Sequence, residues 1–171
     1  VLAANGEETA TLVGQGANRQ YVTIDEIPLD LQHAFVAIED ERFYDHNGID
    51  LHGIGRAFIS GLSKGRFSEG ASTITQQLIK NNVLTSWTSE TSFVEKLQRK
   101  IQEQYLALEL EKQVKDKDWI LENYMNSVNL GANTLGVQAA SKKYFNKDVS
   151  ELTLSEASVI AGITQNPSGY N

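Results

Sequence analysis

The centre of the chain reads Glu69-Gly70-Ala71-Ser72-Thr73-Ile74-Thr75-Gln76-Gln77-Leu78-Ile79-Lys80-Asn81. Uncharged hydrogen-bonding side chains follow one another here, and a lysine comes after them. Ser72 is a suitable N-cap, so the stretch predicts a helix from Ser72 to about Asn81. Hydroxyl and amide groups can orient sugar hydroxyls, and a helix N-terminus with Lys80 nearby favours a bound anion. The stretch therefore fits either a capped polar helix or a surface for carbohydrate or phosphate.

An acidic cluster lies N-terminal to this stretch, at the end of another predicted helix. That helix opens near Pro28 and carries four apolar residues on one face: Leu31, Ala34, Phe35 and Ile38. Glu39 lies at the rim of this face, four residues from Phe35 and four from Phe43. A carboxylate between two aromatic rings loses hydration and becomes a better proton acceptor, which makes Glu39 a candidate general base. The alternative is a solvated acidic helix end that Gly48 closes.

A basic cluster lies C-terminal to the central stretch, on a long predicted helix from Phe93 to about Lys112. A helical wheel places one apolar stripe on this helix: Val94, Leu97, Ile101, Tyr105 and Leu108. Three cations and a carboxylate fall together on the other side: Lys96, Arg99, Lys100 and Glu103. Such a face suits a cleft that holds a polyanion, and the alternative is a surface ion pair between Arg99 and Glu103.

The rest of the chain also favours helices. Three more are predicted: Asp116–Met125, Thr134–Lys143 and Leu154–Ile163. The glycine-bounded stretch Gly131–Gly136 interrupts the helical pattern between the first of these and the second. Residues 1–20 show no clear period and predict an irregular lead-in, while Tyr21–Ile24 is the one predicted strand. The stretch Gly48–Gly70 is rich in glycine and is predicted to be mobile. The predicted fold class is therefore mainly α.

The composition limits the classes of function. A chain of 171 residues suits one domain, and its net charge of −7 argues against a nucleic-acid partner. The absence of cysteine excludes disulfides, thiolate metal sites and cysteine nucleophiles. The three histidines (His33, His46 and His52) lack the spacing of a helical zinc site. No run of about 18 apolar residues is present to cross a bilayer.

Taken together, these segments resemble the peptidoglycan glycosyltransferase domain of class A penicillin-binding proteins and monofunctional transglycosylases. Four motifs of that family occur in order. The first is matched by Glu39-Asp40, Phe43, His46 and Gly48, and the second by Ser72 to Gln77 with Lys80-Asn81. The third is matched by Arg99, Lys100 and Glu103, and the fourth by Lys117, Ile120-Leu121-Glu122, Tyr124 and Asn126. The resemblance covers residues 21–171.

The resemblance implies a lysozyme-like helical domain with two lobes, a central cleft and a mobile membrane-facing subdomain. It implies Glu39 and Glu103 as the catalytic carboxylates. The residues that it implies for substrate binding are Asp40, Phe43, His46, Ser72, Thr73, Thr75, Gln76, Gln77, Lys80, Asn81, Lys96, Arg99 and Lys100. The implied reaction polymerises lipid II with inversion, extends a lipid-linked glycan chain and releases undecaprenyl pyrophosphate, and moenomycin would bind the same cleft.

Partners and location follow from the same resemblance. We expect the domain to act at the extracytoplasmic face of the bacterial membrane, with residues 54–67 in contact with the lipid. We expect a single domain truncated at both ends, which lacks its membrane anchor and an arginine-rich fifth motif, and which a transpeptidase domain can follow in the full-length protein. The sequence shows no metal cage, and magnesium or manganese at the pyrophosphate is the one cofactor that the family suggests.

Two other functions stay open. A lysozyme-like hydrolase of the same glycan would also use a glutamate in a helical cleft. Such an enzyme needs no pyrophosphate site, so the basic cluster argues against it. An inactive module that docks on cell-wall lipid would be expected to lack Glu39 or Glu103, and the sequence contains both.

Overall fold

The structure, a computed structural model, describes residues 20–56, 72–83 and 92–169. Seven helical segments lie in these ranges: α1 (Leu29–Glu39), α2 (51–56), α3 (Ile74–Asn82), α4 (Phe93–Val114), α5 (Lys117–Met125), α6 (Val137–Phe145) and α7 (Leu154–Ile163). Two short 3-10 turns accompany them, Ile24–Glu26 and Val149–Glu151. Within the described ranges the only β-type pairing is an isolated bridge between Asn129 and Leu135. The predicted fold class, mainly α, is confirmed.

Side-chain caps set where most of these helices begin. The Ser92 hydroxyl accepts from the backbone N–H of Glu95 at the start of α4, and Asp116 and Thr153 cap α5 and α7 in the same way. The cap of α3 is Thr73, which accepts from Gln76 N–H, and the prediction of Ser72 as the N-cap is therefore wrong. The hydroxyl of Ser72 instead accepts from Nζ of Lys100 (2.7 Å).

The helix predicted from Thr134 begins later, at Val137. Gly136, the residue before it, has φ +84°, which is not a helical conformation, so the helix cannot include residues 134–136. A Cβ on Gly136 would lie 2.7 Å from the carbonyl oxygen of Asn126, so the approach of this turn to the end of α5 also requires glycine.

The predicted strand at Tyr21–Ile24 is wrong, because an amide side chain takes the place of a partner strand. Asn126 accepts from the N–H of Val22 (2.9 Å) and donates to its carbonyl (2.8 Å). Glu122, one turn earlier on α5, accepts from the N–H of Ile24 (2.6 Å) and from the hydroxyl of Tyr21. The extended segment is thus fixed to α5, and Ile24–Glu26 then turns into a 3-10 helix.

The core forms around α3, which packs against α4 and α5, while α1 packs against α7. Phe35 of α1 meets Tyr124 of α5 edge to face, with ring centroids 6.1 Å apart, and both side chains are fully buried. Even the polar side chains of Thr75 and Gln76 on α3 are buried. The described part of the central stretch, residues 72–81, is therefore mostly interior.

Helix α4 turns its polar side inward. The apolar stripe that the helical wheel defined is exposed along its whole length (Val94, Leu97, Ile101, Tyr105 and Leu108). The opposite side is buried at Glu103, Ala107 and Glu111, where α4 faces α3. Among the helices described, none combines the length and the apolar character that a membrane crossing needs.

The mobile stretch predicted at Gly48–Gly70 falls mainly on residues 57–70, which lie outside the described residues. Residues 57–67 of the predicted lipid contact and 1–19 of the predicted lead-in lie outside them as well. The described part, 48–56, contains the buried Gly48 and Asp50 and the start of α2.

The contact between Asn126 and Val22 yields a stability prediction. We expect Asn126→Ala to lower the free energy of unfolding by about 2–4 kcal/mol, since it leaves a buried backbone donor and a buried acceptor unpaired. Urea unfolding measures this. Asn123→Ala is the matched control on the same helix, because its amide donates only at the surface, to Trp119 O. Equal losses in the two variants would contradict this account of the N-terminal segment.

Candidate active site

Glu39, the last residue of α1, has two amide partners and is partly exposed. Its Oε2 accepts from Nε2 of Gln77 on α3 (2.8 Å), and its Oε1 accepts from Nε2 of Gln165 after α7 (3.0 Å). The rings of Phe35 and Phe43, which were expected to flank this carboxylate, are buried in the core. The carboxylate is therefore fixed by neutral hydrogen-bond donors.

A small polar groove of about 110 Å³ opens beside Glu39. It is lined by the end of α1 and the residues after it, by α2 and the residue before it, and by the chain entering α3: Ala37, Ile38, Glu39, Asp40, Glu41, Arg42, Asp50, Gly53, Arg56, Ser72 and Thr73. A larger groove of about 340 Å³ is mainly apolar and includes Leu78, Leu110 and Trp119. That groove contains none of the predicted site residues, so the chemistry places the candidate site in the smaller, polar one.

Asp40 is buried and organises the chain around the groove. Its carboxylate lies 2.9 and 3.0 Å from Nε2 of His46, and it accepts from the N–H of Ile74 (3.0 Å), the first residue of α3. The N–H of Gly48 donates to Nδ1 of His46 (3.1 Å), which places the ring proton on Nε2, facing Asp40. Asp40 and His46 thus contact the protein itself, and they fix the start of α3 next to Glu39.

Gly48 lies where α4 approaches the loop most closely. Its φ is +90°, and a Cβ there would lie 2.7 Å from the carbonyl oxygen of Ala107. The carbonyl of Gly48 accepts from the Thr73 hydroxyl (2.7 Å) and more weakly from Gln76 Nε2 (3.4 Å). The first turn of α3 is therefore tied to this loop.

Lys100 of α4 joins the basic cluster to the groove. Its Nζ donates to the hydroxyl of Ser72 (2.7 Å), to Oε1 of Gln76 (3.1 Å) and to Oε2 of Glu103 (3.2 Å). Arg99 donates to Oε1 of the same glutamate. Glu103 is only 2% exposed, so its carboxylate lies beneath the two cations and outside the groove lining. The Arg99–Glu103 pair considered from sequence is present, and Lys100 shares the same carboxylate.

Three further predicted residues lie at the surface or partly so. Lys96 is exposed one turn before Lys100, and Lys80 is exposed on α3. Asn81, next to Lys80, is half-buried. Lys96 and Lys100 thus lie one turn apart near the start of α4, and Lys80 lies in the last turn of α3.

An ion pair between Glu111 and Lys117 contacts both Thr75 and Phe43. Glu111 of α4 accepts from the Thr75 hydroxyl (2.5 Å), and Nζ of Lys117 lies 2.7 Å from its other oxygen. The Lys117 ammonium has no hydrogen bond of good geometry there, so this contact is an ion pair. The same ammonium lies 4.5 Å from the centroid of the Phe43 ring, a cation–π contact. Thr75 and Phe43 are therefore held inside the protein.

Two groups near the groove have displaced pKa values. The guanidinium of Arg42 donates to Asp50 (2.5 Å) and lowers the pKa of that carboxyl to about 2. Burial raises the pKa of the Tyr124 hydroxyl well above its usual range, and the charges of Glu39 and Asp40 add to this. Tyr124 therefore stays protonated and donates to Oε1 of Gln77 (3.2 Å).

Sequence reasoning missed the contact of Gln165 with Glu39, which joins residues 126 positions apart. Gln165 belongs to no periodic pattern and lies in the turn after α7, so only the packing of α7 on α1 brings it to the site. The structural part of Glu111 was missed as well, although its position two turns after Glu103 on the same side of α4 was a usable signal.

Comparison with known proteins gives consistent matches. The profile of the family described as "Transglycosylase" matches residues 5–171. "Penicillin-binding protein 1A" of Clostridium botulinum is 50% identical over 159 residues, which cover 90% of this chain and 18% of that protein. "Penicillin-binding protein 1F" of Bacillus subtilis is 44% identical over 171 residues, all of this chain and 22% of that protein. The chain thus spans about a fifth of the length of these curated relatives.

The pairing of Arg42 with Asp50 predicts a pH dependence. Because the pKa of Asp50 in the folded state lies below its ordinary value of 3.8, the pair stabilises the fold above that value and ceases to do so as the pH falls towards about 2. In Asp50→Asn we therefore expect lower stability near neutral pH and a smaller loss between about pH 4 and 2 than in the wild type.

Free energies of unfolding at stepped pH values check this. Asp45→Asn is the control, since Asp45 is exposed on the same loop. Identical acid-side slopes in Asp50→Asn and the wild type would show that the ion pair contributes nothing.

Proposed function

Since this chain belongs to the transglycosylase family, we propose that it is a peptidoglycan glycosyltransferase that polymerises lipid II into β-1,4-linked glycan strands. One observation carries the proposal beyond the family: the carboxylate of Glu39 and the ammonium of Lys100 flank the same N-terminal turn of α3. Gln77 contacts the first, and Ser72 and Gln76 contact the second. A proton acceptor and an anion site placed this close suit a reaction in which a hydroxyl attacks and a pyrophosphate leaves.

In the proposed reaction Glu39 is the general base. It removes the proton from the 4-hydroxyl of the acceptor's N-acetylglucosamine as that oxygen attacks the anomeric carbon of the donor's N-acetylmuramic acid. The bond from this carbon to the pyrophosphate oxygen breaks, and its electron pair leaves with undecaprenyl pyrophosphate. Attack from the opposite side converts the α-linkage into a β-linkage, and the proton stays on Glu39 until it passes to solvent.

The leaving pyrophosphate is anionic, so it needs charge stabilisation more than it needs a strong acid. Arg42 and Arg56 line the groove but pair with Asp50 and Glu41, so we assign this role to Lys100, Arg99 and Lys96 of α4, with Lys80 on α3. Glu103 lies beneath two of them and accepts from both Arg99 and Lys100. That pairing supports a role for Glu103 in orienting the cations, since a buried carboxylate fixes the side chains that bind it.

A resident metal does not fit the residues around Lys100, because both oxygens of Glu103 already accept hydrogen bonds from cations. The described part of the chain also holds no cluster of three or more histidine or carboxylate side chains suited to a metal ion. The proposed reaction therefore uses no metal held by the protein, and magnesium or manganese would have to arrive with the pyrophosphate.

The whole protein's setting follows from its proposed substrate. A lipid-linked donor and acceptor require work at a membrane surface, and we place that surface at the outer face of the bacterial cytoplasmic membrane. The curated relatives are named as penicillin-binding proteins and are about five times as long as this chain, and by analogy with them we propose that the domain acts together with a transpeptidase domain.

The first test is turnover of lipid II by the chain in detergent micelles. We expect Glu39→Gln to lower the polymerisation rate by about 10²- to 10⁴-fold while the melting temperature stays near that of the wild type, because glutamine keeps the shape but cannot take the proton. Glu41→Gln is the matched control: it removes an exposed carboxylate from the same groove. Retention of more than about a tenth of the turnover in Glu39→Gln would remove that residue from the role.

The same assay separates the proposal from the hydrolase alternative. A transglycosylase lengthens glycan from lipid II and leaves polymeric peptidoglycan intact. Release of soluble fragments from polymeric peptidoglycan, without any polymer from lipid II, would identify a hydrolase instead.

The second test separates the two cations that share Glu103. We expect Lys100→Ala to lower turnover by about 10²-fold and to weaken moenomycin binding, with a near-normal melting temperature, because Lys100 also reaches Ser72 at the groove. Arg99→Ala should lower the melting temperature more, since Arg99 pairs with the buried carboxylate. Lys112→Ala, at the exposed far end of α4, is the control. Unchanged kinetics in Lys100→Ala would overturn the assignment of Lys100 to the pyrophosphate.

A further inference from the structure

We propose that Gln165 is a positioning residue that holds the Glu39 carboxylate in the direction required for proton abstraction. This inference rests on the proposed function, in which Glu39 is the base. It adds a residue from the turn after α7, which lies outside all four sequence motifs.

The geometry places one amide donor on each oxygen of Glu39. Gln77 reaches Oε2 from α3 (2.8 Å) and Gln165 reaches Oε1 from the turn after α7 (3.0 Å). Helix α7 packs against α1, so the turn that carries Gln165 is held at a fixed distance from the end of α1. Two donors from two separate elements restrict rotation of the carboxylate about its terminal bond, which a single donor leaves free.

The orientation of the first amide is set from behind. Tyr124 donates to Oε1 of Gln77 (3.2 Å), so the NH₂ group of that side chain must face Glu39. Tyr124 is buried, so the hydrogen bond from Gln77 to Glu39 is supported by the core. Gln165 is exposed, so its hydrogen bond to Glu39 lies at the protein surface. Removal of its side chain should therefore leave the fold unchanged while it frees one oxygen of the base.

A neutral donor suits a base better than a cation does. An ionised carboxylate can accept about four hydrogen bonds, so two amides leave room for the hydroxyl of the acceptor sugar. A lysine or arginine in the same place would stabilise the charged form much more strongly and would oppose proton transfer. The two amides thus fix the direction of Glu39 without neutralising it.

The test uses Gln165→Met, which keeps the length of the side chain and removes the donor, and Gln165→Glu, which replaces the donor with a like charge. We expect kcat to fall by about ten-fold or more in the first variant and further in the second, with KM and the melting temperature nearly unchanged. Gln113→Met, at an exposed glutamine on α4, is the matched control. A rise in KM alone would assign Gln165 to substrate binding, a lower melting temperature with normal kcat would make it structural, and a kcat within about two-fold of the wild type would exclude the proposal.

A second measurement does not depend on activity. In ¹⁵N-labelled protein the side-chain amide of Gln165, identified by its loss in Gln165→Met, should shift in Glu39→Gln and stay in place in Glu41→Gln. If the wild-type chain fails to polymerise lipid II, the proposed function is wrong. The NMR measurement still decides whether Gln165 binds the side chain at position 39. If the chemical shift of the Gln165 amide is the same in Glu39→Gln as in the wild type, the inference is wrong, whatever the activity.

Discussion

The carboxylate of Asp40 is the constraint on which the site depends. It accepts from the first N–H of α3 and faces the ring of His46, so it joins the end of α1, the following loop and the start of α3 in one buried cluster. A carboxylate at a helix N-terminus is favoured by the helix dipole, and its burial makes each contact costly to lose. Because Asp40 fixes the position of α3, its neighbour Glu39 comes within 2.8 Å of Gln77. The proposed base is thus placed by the residue beside it.

The second constraint is electrostatic. A protein with a net charge of −7 presents lysine and arginine at one end of α4, and the carboxylate that pairs with them lies beneath. A buried ion pair contributes little to net stability once its desolvation is counted, although the loss of one partner is expensive. Glu103 is therefore better understood as the residue that fixes where Arg99 and Lys100 point. Such fixed cations need little rearrangement when an anion arrives, and this is the condition under which charge lowers a reaction barrier.

Sequence patterns sufficed for the elements whose signals are local. Capping residues and apolar periodicity located α3, α4, α5 and α7 to within a few residues, and the family motifs predicted Glu39 and the Lys100–Glu103 segment as candidate site residues. Non-local contacts were out of reach: nothing near Tyr21 shows that Asn126 replaces a strand partner, and nothing near Gln165 shows that α7 packs on α1. The wheel of α4 separated two faces correctly but could not show which one is buried, since the polar face has buried partners on α3.

The hydrogen-bond partners of the side chains in 72–77 explain why this run consists mainly of uncharged polar residues. Each polar side chain of the run has a hydrogen-bond partner: Ser72 and Gln76 meet Lys100, Thr73 meets Gly48, Thr75 meets Glu111, and Gln77 meets Glu39 and Tyr124. Hydroxyl and amide groups can donate or accept as each neighbour demands, without adding a charge to a buried turn. At Thr75 an apolar residue would leave the buried Glu111 carboxylate without this hydrogen bond, and a charged residue there would need a partner of its own. The residue types of this helix are therefore constrained by the interior of the protein, with Ser72 and Gln77 at its two edges linking that interior to the groove.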